Sequence, residues 1–233
     1  QKVAIITAAG RGIGAACAHA LTTDGYRVVL MSRSDQAARL AQTLGGVGMQ
    51  GSVTNEQDLS ALVDLALTRY GRIDAIVNNT GDPARADLLA LTPDQWHADL
   101  DLILLNVVRM MRVVTPLMVA QGYGSVVNIS AADAYEPDLR FPIGSVYRAA
   151  LGAWTKLYAD RYAAAGIRMN CVLPGIVLPS QRSVREDISR EVPLRRPAQY
   201  EEIASVVRFL LSSEGSYVTG QNLRVDGGLT RSV

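Results

Sequence analysis

Val3-Ala-Ile-Ile-Thr-Ala-Ala-Gly-Arg-Gly-Ile-Gly14, running on into Ala15-Ala-Cys-Ala-His-Ala-Leu21, decides the fold. Val3 to Thr7 is a short apolar, β-branched run and reads as a buried strand. Gly10, Gly12 and Gly14 follow at once, and the small residues after them have good helix propensity. A strand that turns sharply into a helix aims free backbone N–H groups and the positive end of the helix dipole at one point, where a phosphate binds well. Glycine lets the backbone approach that phosphate and lets the helix pack tightly on the sheet. A glycine-rich turn between two core elements looks the same on this stretch alone, so the rest of the chain has to decide.

Outward from it, short apolar runs alternate with helical patterns. Val28 to Met31 reads as a second strand, Asp35 to Leu44 as a helix ended by Gly45-Gly46, and Gly48 to Val53 as a weak third strand. Asn55 to Tyr70 has helical spacing at Leu59, Leu62, Val63 and Ala66, and Ile73 to Val77 is a strand running into Asn78-Asn79-Thr80-Gly81. A long helix is predicted from Pro93 to the region of Val119, with a kink near Pro116. Ser125 to Ile129 and Arg168 to Val172 read as strands, the second stopped by Pro174-Gly175. Val146 to Ala164 and Glu201 to Leu211 read as helices, and Asn222 to Val225 as a last strand. Strands alternating with helices imply parallel pairing through right-handed crossovers, hence a doubly wound α/β Rossmann fold with about seven strands and helices on both faces. Without a linker, repeat or low-complexity segment, residues 1–233 are expected to form one domain.

The 233 residues carry a net charge of +1 and 48% hydrophobic side chains, with no uninterrupted apolar run near the length of a membrane span. Neither a nucleic-acid partner nor a membrane is expected from that balance. The amino terminus enters a strand directly, so a cytoplasmic protein is expected. Cys17 and Cys171 are expected to be small buried hydrophobes and not a disulfide. His19 and His97 lack partners at metal-ligand spacing, so no metal site is expected.

The order of motifs resembles the short-chain dehydrogenase/reductase family over essentially the whole chain. The matching pieces are Thr7 to Gly14, Asp74 to Gly81, Asn106, Val126-Val-Asn-Ile-Ser130, Gly166-Ile-Arg-Met-Asn-Cys-Val-Leu-Pro-Gly175 and Thr219 to Gly228. Thr80 replaces the family's alanine in Asn-Asn-Ala-Gly, and Ala8 replaces its first loop glycine. The resemblance implies a nicotinamide dinucleotide cradled by Thr7, Gly10, Arg11, Gly12, Ile13 and Gly14. Ser52 and Val53 would lie by the adenine, and Asn78, Thr80 and Gly81 by the ribose. Pro174, Gly175 and Ile176 would lie by the nicotinamide, with Pro179 where the family often has threonine. An acid at the end of the second strand favours NAD, and a base favours NADP. Here that end offers Ser32 and Arg33, with no acid before Asp35, and Arg11 lies nearby. This favours NADP(H), unless both arginines are merely solvated loop charges.

The family's chemistry uses a tyrosine as proton donor, a lysine four residues later, a serine thirteen residues before the tyrosine, and an asparagine holding a water. Asn106 matches the asparagine. Counting back from Gly166 places the tyrosine at Gly144 and the lysine at Arg148; counting forward from Val127 places the serine at Ala131, and Ala131 to Gly144 is thirteen residues. The anchors agree, so the chain is expected to be an atypical member. Tyr147 is displaced from Gly144 by about 4.5 Å along a helix and some 60° around it; it is a candidate for the pocket or for plain packing. Asp133, Tyr135 and Glu136 lie on the following loop and could enter the site, though solvation is the simpler reading. Arg148 cannot serve as an acid, yet it can hold a ribose or stabilise an oxyanion.

Two readings follow. One is an NADP(H)-dependent oxidoreductase acting on a small carbonyl, imine or activated C=C substrate, with Asn106, Arg148 and Tyr147 as the candidate catalytic set. The other is a catalytically silent cofactor-binding sensor or partner subunit. The mixed charges of Ser180 to Val192 hint weakly at a polar substrate. Leu151, Trp154, Leu157 and Tyr158 suggest an apolar helix stripe, and the resemblance implies a homodimer or homotetramer closed by Leu229 to Val233.

Overall fold

The computed structural model describes residues 1–178 and 191–232, and its opening run is β1 (Val3–Ile6) followed by α1 (Gly12–Thr23). The chain continues through β2 (Arg27–Ser32), α2 (Gln36–Thr43), β3 (Val47–Gln50), α3 (Glu56–Tyr70) and β4 (Ala75–Asn78). Next come α4 (Pro93–Leu100), a π-turn over Asp101–Leu105, α5 (Asn106–Gln121), β5 (Gly124–Ile129) and α6 (Pro142–Tyr162). β6 (Ile167–Pro174), α7 (Tyr200–Leu211) and β7 (Asn222–Val225) complete the described elements. The seven strands form one parallel sheet in the order β3-β2-β1-β4-β5-β6-β7. Strand order reverses between β1 and β4, so a crevice opens beyond their carboxyl ends.

The pleat sorts the core into two layers. Val3 and Ile5 of β1 pack with Leu59 and Leu62 of α3, Val107, Met110 and Val114 of α5, and Leu151 of α6. Ala4 and Ile6 face the other way, toward Cys17 and Leu21 of α1, Ala37 and Ala41 of α2, and Ile203, Val207 and Leu210 of α7. Strands buried on both faces explain why they read as continuous apolar runs and not as alternating ones. Cys17 and Cys171 are buried free thiols, pushed by desolvation up to about 12 and about 11.

Local chemistry sets the helix ends. The Asn55 side chain accepts from the Asp58 N–H at 3.0 Å and caps α3, while Gly71 closes it at φ +71°. Thr92 and Gln95 form a capping box on α4, with Pro93 in its first turn. α6 starts at Pro142, four residues earlier than the periodicity suggested, because a proline suits the first helical turn. Pro116 sits inside α5, while the departure from regular α-geometry lies upstream, in the π-turn.

The continuous helix Pro93–Gln121 is 29 residues long, and its most apolar window has a mean hydropathy of 1.8, enough to cross a membrane by length and composition alone. Arg109 and Arg112 interrupt the apolar run in the sequence, which is why no span was read there. Val107, Met110, Met111, Val114 and Met118 are buried against the sheet and α3, as in a central core helix. The expected stripe on α6 is divided. Leu151 and Tyr158 are buried, with Tyr158 Oη 2.7 Å from Thr115 Oγ1, while Leu157 stays 68% exposed. Residues seven apart share a helix side, and Leu157 is turned about 100° from Tyr158.

Candidate active site

The glycine loop is set by bonds between the ends of β1 and β4. Thr7 Oγ1 donates to the Asn79 carbonyl at 2.7 Å and accepts from the Asn79 N–H at 2.9 Å. Asn79 Nδ2 donates to the Ala8 carbonyl at 3.3 Å. The Thr7 hydroxyl therefore positions the loop and is fully engaged. A Cβ at Gly14 would lie 2.6 Å from the Ala8 oxygen, so α1 approaches β1 as closely as backbone permits. Gly12 takes φ +61°, and Ile13 packs on the core. Arg11 is the N-cap residue of α1 but gives it no side-chain hydrogen bond, and the first turn holds no acid. The leading N–H groups of α1 thus keep their capacity for an anion. Gly10 is confined by Ser32, whose Oγ would lie 2.9 Å from a Cβ there.

At the end of β2, Ser32 Oγ accepts from the Ala37 N–H at 3.1 Å and donates to the Ser34 carbonyl at 2.8 Å, so it builds the turn. Asp35, the first acid after the strand, is paired with Arg39 at 2.8 Å. The guanidinium groups of Arg11 and Arg33 are exposed and have no ion pair among the described residues. Ser52 lies beside this end, its N–H held by Asp58 at 2.8 Å and its hydroxyl by Thr54 at 2.9 Å, and Val53 is buried beneath.

A buried polar chain underlies the central strands: Asn78 Nδ2 donates to Asn128 Oδ1, Asn128 Nδ2 to Thr155 Oγ1, each at 2.9 Å, and Thr155 meets Cys171 Sγ at 3.2 Å. Around it, several buried polar atoms make no hydrogen bond among the described residues: Asn78 Oδ1, Thr80 Oγ1, Ser130 Oγ, Asp133 Oδ1 and Arg148 Nε. Gly81 follows with nothing within 4 Å of where its Cβ would stand. On the far side, Gly175 donates to the Val225 carbonyl at 3.2 Å, and the Ile176 carbonyl accepts from Ala198 at 2.8 Å, fixing the segment after Pro174. Pro179 and 180–190 of the charged segment lie outside the described residues, as does Val233 of the tail.

Gly144 is buried in the first turn of α6. A Cβ there would sit 2.9 Å from Asp133 Oδ2 and 3.4 Å from Pro83 Cγ. Asp133 is not a solvated loop residue, as the sequence suggested: its side chain is 8% exposed, with Arg148 Nη1 3.7 Å from Oδ1. Burial pushes its carboxyl above the ordinary 3.8, Arg148 draws it back, and Asp138 adds to the rise. Asp133 follows Ala131 by two residues at the carboxyl end of β5, and that placement was the available signal.

Tyr147 packs against α4. Its ring meets Trp96 of α4 edge-on, with centroids 5.5 Å apart and planes at 79°. Burial, and then the charge of Asp99, raise its phenol above the ordinary value. Asp99 itself accepts from the Ala84 N–H at 2.8 Å and anchors the loop after β4. Asn106 is buried at the junction of the π-turn and α5, its Nδ2 donating to the Leu102 carbonyl at 2.5 Å. Tyr135 is stacked by Arg224, and Glu136 accepts from the Arg231 and Ser232 N–H groups, so both belong to the docking of the chain's end.

Known proteins resemble the chain as a whole. A family model described as enoyl-(acyl carrier protein) reductase matches residues 7–230. The chain is 35% identical to dehydrogenase/reductase SDR family member 4 of Oryctolagus cuniculus, covering 98% of this chain and 93% of the relative. It is 33% identical to the 3-oxoacyl-(acyl-carrier-protein) reductase of Synechocystis sp., covering 98% and 96%. The solved L-sorbose reductase from Gluconobacter frateurii, complexed with NADPH and L-sorbose, superposes with a TM-score of 0.92 at 28% identity, covering 100% of this chain and 97% of that one. The NADPH-dependent reductase YwfH, involved in bacilysin biosynthesis, shares the fold with a TM-score of 0.94 at 23% identity over both full lengths. From its glycine loop to its last strand, the chain belongs to the short-chain dehydrogenase/reductase family.

Proposed function

We propose that this chain is an NADP(H)-dependent oxidoreductase moving hydride to or from a small carbonyl, imine or activated C=C substrate. Its active site is non-standard, with Ala131, Gly144 and Arg148 where the family's serine, tyrosine and lysine are expected. One observation carries this reading. Five of the six buried, unpartnered side-chain atoms among the described residues cluster after β4 and β5 and on the first turns of α6. A buried polar atom left without a hydrogen bond costs about 1–3 kcal/mol, and the grouping of these atoms on segments at the carboxyl ends of β4 and β5 and on α6 supports a ligand site there.

The residues present fit the cofactor. The uncapped start of α1 and the loop of Gly10, Arg11, Gly12, Ile13 and Gly14 would hold its diphosphate. Arg11 and Arg33 would hold the 2′-phosphate, and Ser52 and Val53 would flank the adenine. Asn78, Thr80 and Gly81 would line the ribose; Pro174, Gly175 and Ile176 would flank the nicotinamide. NADPH, when bound, supplies the hydride. Arg148 contributes fixed positive charge where negative charge develops on the substrate. Asn106 supports the pocket from the head of α5.

By titration calorimetry NADPH is expected to bind at least tenfold tighter than NADH, about 1.4 kcal/mol, and Arg33→Asp to erase the preference. Equal dissociation constants would sink the cofactor assignment. A protein that binds NADPH yet oxidises it with no member of a carbonyl, imine and enone panel is the silent sensor or partner subunit instead.

A further inference from the structure

We propose that the Asp133 carboxyl group, facing Arg148 beside Gly144, is the group that exchanges a proton with the substrate. This rests on the oxidoreductase reading above and names the acid that reading lacks. The geometry singles out Asp133. Its carboxyl oxygen stands 2.9 Å from the Cβ position of residue 144, inside the room a side chain there would need. Its other oxygen is buried with no hydrogen-bond partner, and so is Arg148 Nε, 3.7 Å being the distance between Asp133 Oδ1 and Arg148 Nη1. Such a pair is under-satisfied as it stands, and a polar ligand atom completes it.

The competing groups are otherwise committed. Tyr147 is packed edge-on against Trp96, and its raised phenol makes it a weaker acid. Glu136 is taken by the N–H groups of Arg231 and Ser232. Asp99 holds the Ala84 N–H. The charged groups bearing on Asp133 are Arg148 from α6 and Asp138 from its own loop, while the segment after β4 brings the uncharged Pro83. Burial outweighs Arg148, so the carboxyl holds its proton to higher pH than a solvated one.

With NADPH bound, the cofactor would supply a hydride in the reducing direction, its own C–H bond breaking as a C–H bond forms on the substrate carbon and the C=O, C=N or activated C=C π bond opens. The π electrons move to the far atom, which takes the proton from Asp133. The carboxylate left behind is paired by Arg148 and recovers a proton from water. The substrate is reduced by two electrons, with NADP+ as the oxidised product. Oxidation runs through the same groups in reverse.

The test uses the full chain in two arms. In cofactor-free protein carrying ¹³C-labelled aspartate carboxyls, the resonance lost in Asp133→Asn is expected to titrate above 3.8. Arg148→Gln should move it higher still, by removing the opposing cation. In the second arm, Asp133→Asn is expected to keep NADPH affinity within about twofold, to lower turnover by about 10²-fold, and to abolish the loss of kcat/KM with rising pH. A resonance titrating at the ordinary value, or an Asn variant with wild-type turnover and pH profile, overturns the proposal alone. If Asp133→Asn fails to fold, Asp133→Ser with the same readouts replaces it. Wild-type protein that binds NADPH but reduces nothing overturns the oxidoreductase reading, and this assignment with it.

Discussion

At Ala8 the backbone adopts φ +46°, in the left-handed region that suits glycine. That region costs an alanine roughly 1–2 kcal/mol, somewhat more than the freedom a glycine adds to the unfolded chain. Ala8→Gly is therefore expected to stabilise the protein by up to about 1 kcal/mol in urea denaturation. A loss of stability would mean that the Ala8 methyl makes a contact worth more than the strain. Gly144 has the opposite logic. An alanine normally improves a helical position by about 1 kcal/mol, but a Cβ at 144 meets Asp133 Oδ2 at 2.9 Å. Gly144→Ala should destabilise the wild type, stabilise the Asp133→Ala background, and show a coupling of about 1 kcal/mol or more between the two sites. Additive effects would place Asp133 outside the space beside Gly144.

The π-turn between α4 and α5 is the element whose geometry the sequence hides. Within it the Asn106 N–H reaches back to the Asp101 carbonyl, so the Leu102 carbonyl loses its usual backbone donor. The Asn106 side chain supplies one instead, and Arg109 Nη2 holds Asp101 at 2.6 Å across the same turn. Asn106 thus has a structural duty besides the water-holding role implied by the resemblance. Asn106→Ala is expected to cost about 1–3 kcal/mol in thermal or urea unfolding, because it removes the side-chain donor from a part-buried carbonyl. Unchanged stability would show the turn winding back into α-helix at no cost. Helix starts, by contrast, follow visible chemistry: Asn55, the Thr92–Gln95 box and Pro142 each supply what a first turn needs.

For the whole molecule, the sheet order brings residues from four distant stretches to one crevice, and it also leaves apolar side chains outside. Val146 and Leu157 of α6 are 51% and 68% exposed. We propose that this face joins a second copy, as a homodimer or as part of a homotetramer. Light scattering at micromolar concentration is expected to give two or four times the chain mass of 25.0 kDa. Leu157→Asp should drive the mass toward a single chain. A wild-type mass of 25.0 kDa would contradict the assembly.

The sequence by itself determined the parallel, doubly wound sheet, because its cues are local: continuous apolar strands, helical spacing and glycines at the turn after β1. It also determined which segments stand at the carboxyl ends of the strands: the glycine loop after β1, Asn78 to Gly81 at β4 and Pro174 to Ile176 at β6. Only the tertiary structure decided how side chains divide between scaffold and site. The hydroxyls of Thr7, Ser32 and Ser52 also hydrogen-bond within the protein, each holding a turn or loop beside the crevice. Tyr147 was carried to α4, and the supposedly solvated Asp133 was buried against Arg148 and Gly144. Burial and pairing depend on what long-range folding packs beside a residue. For Asp133 that neighbourhood comes from α6 and the loop after β4, which no local pattern around residue 133 encodes.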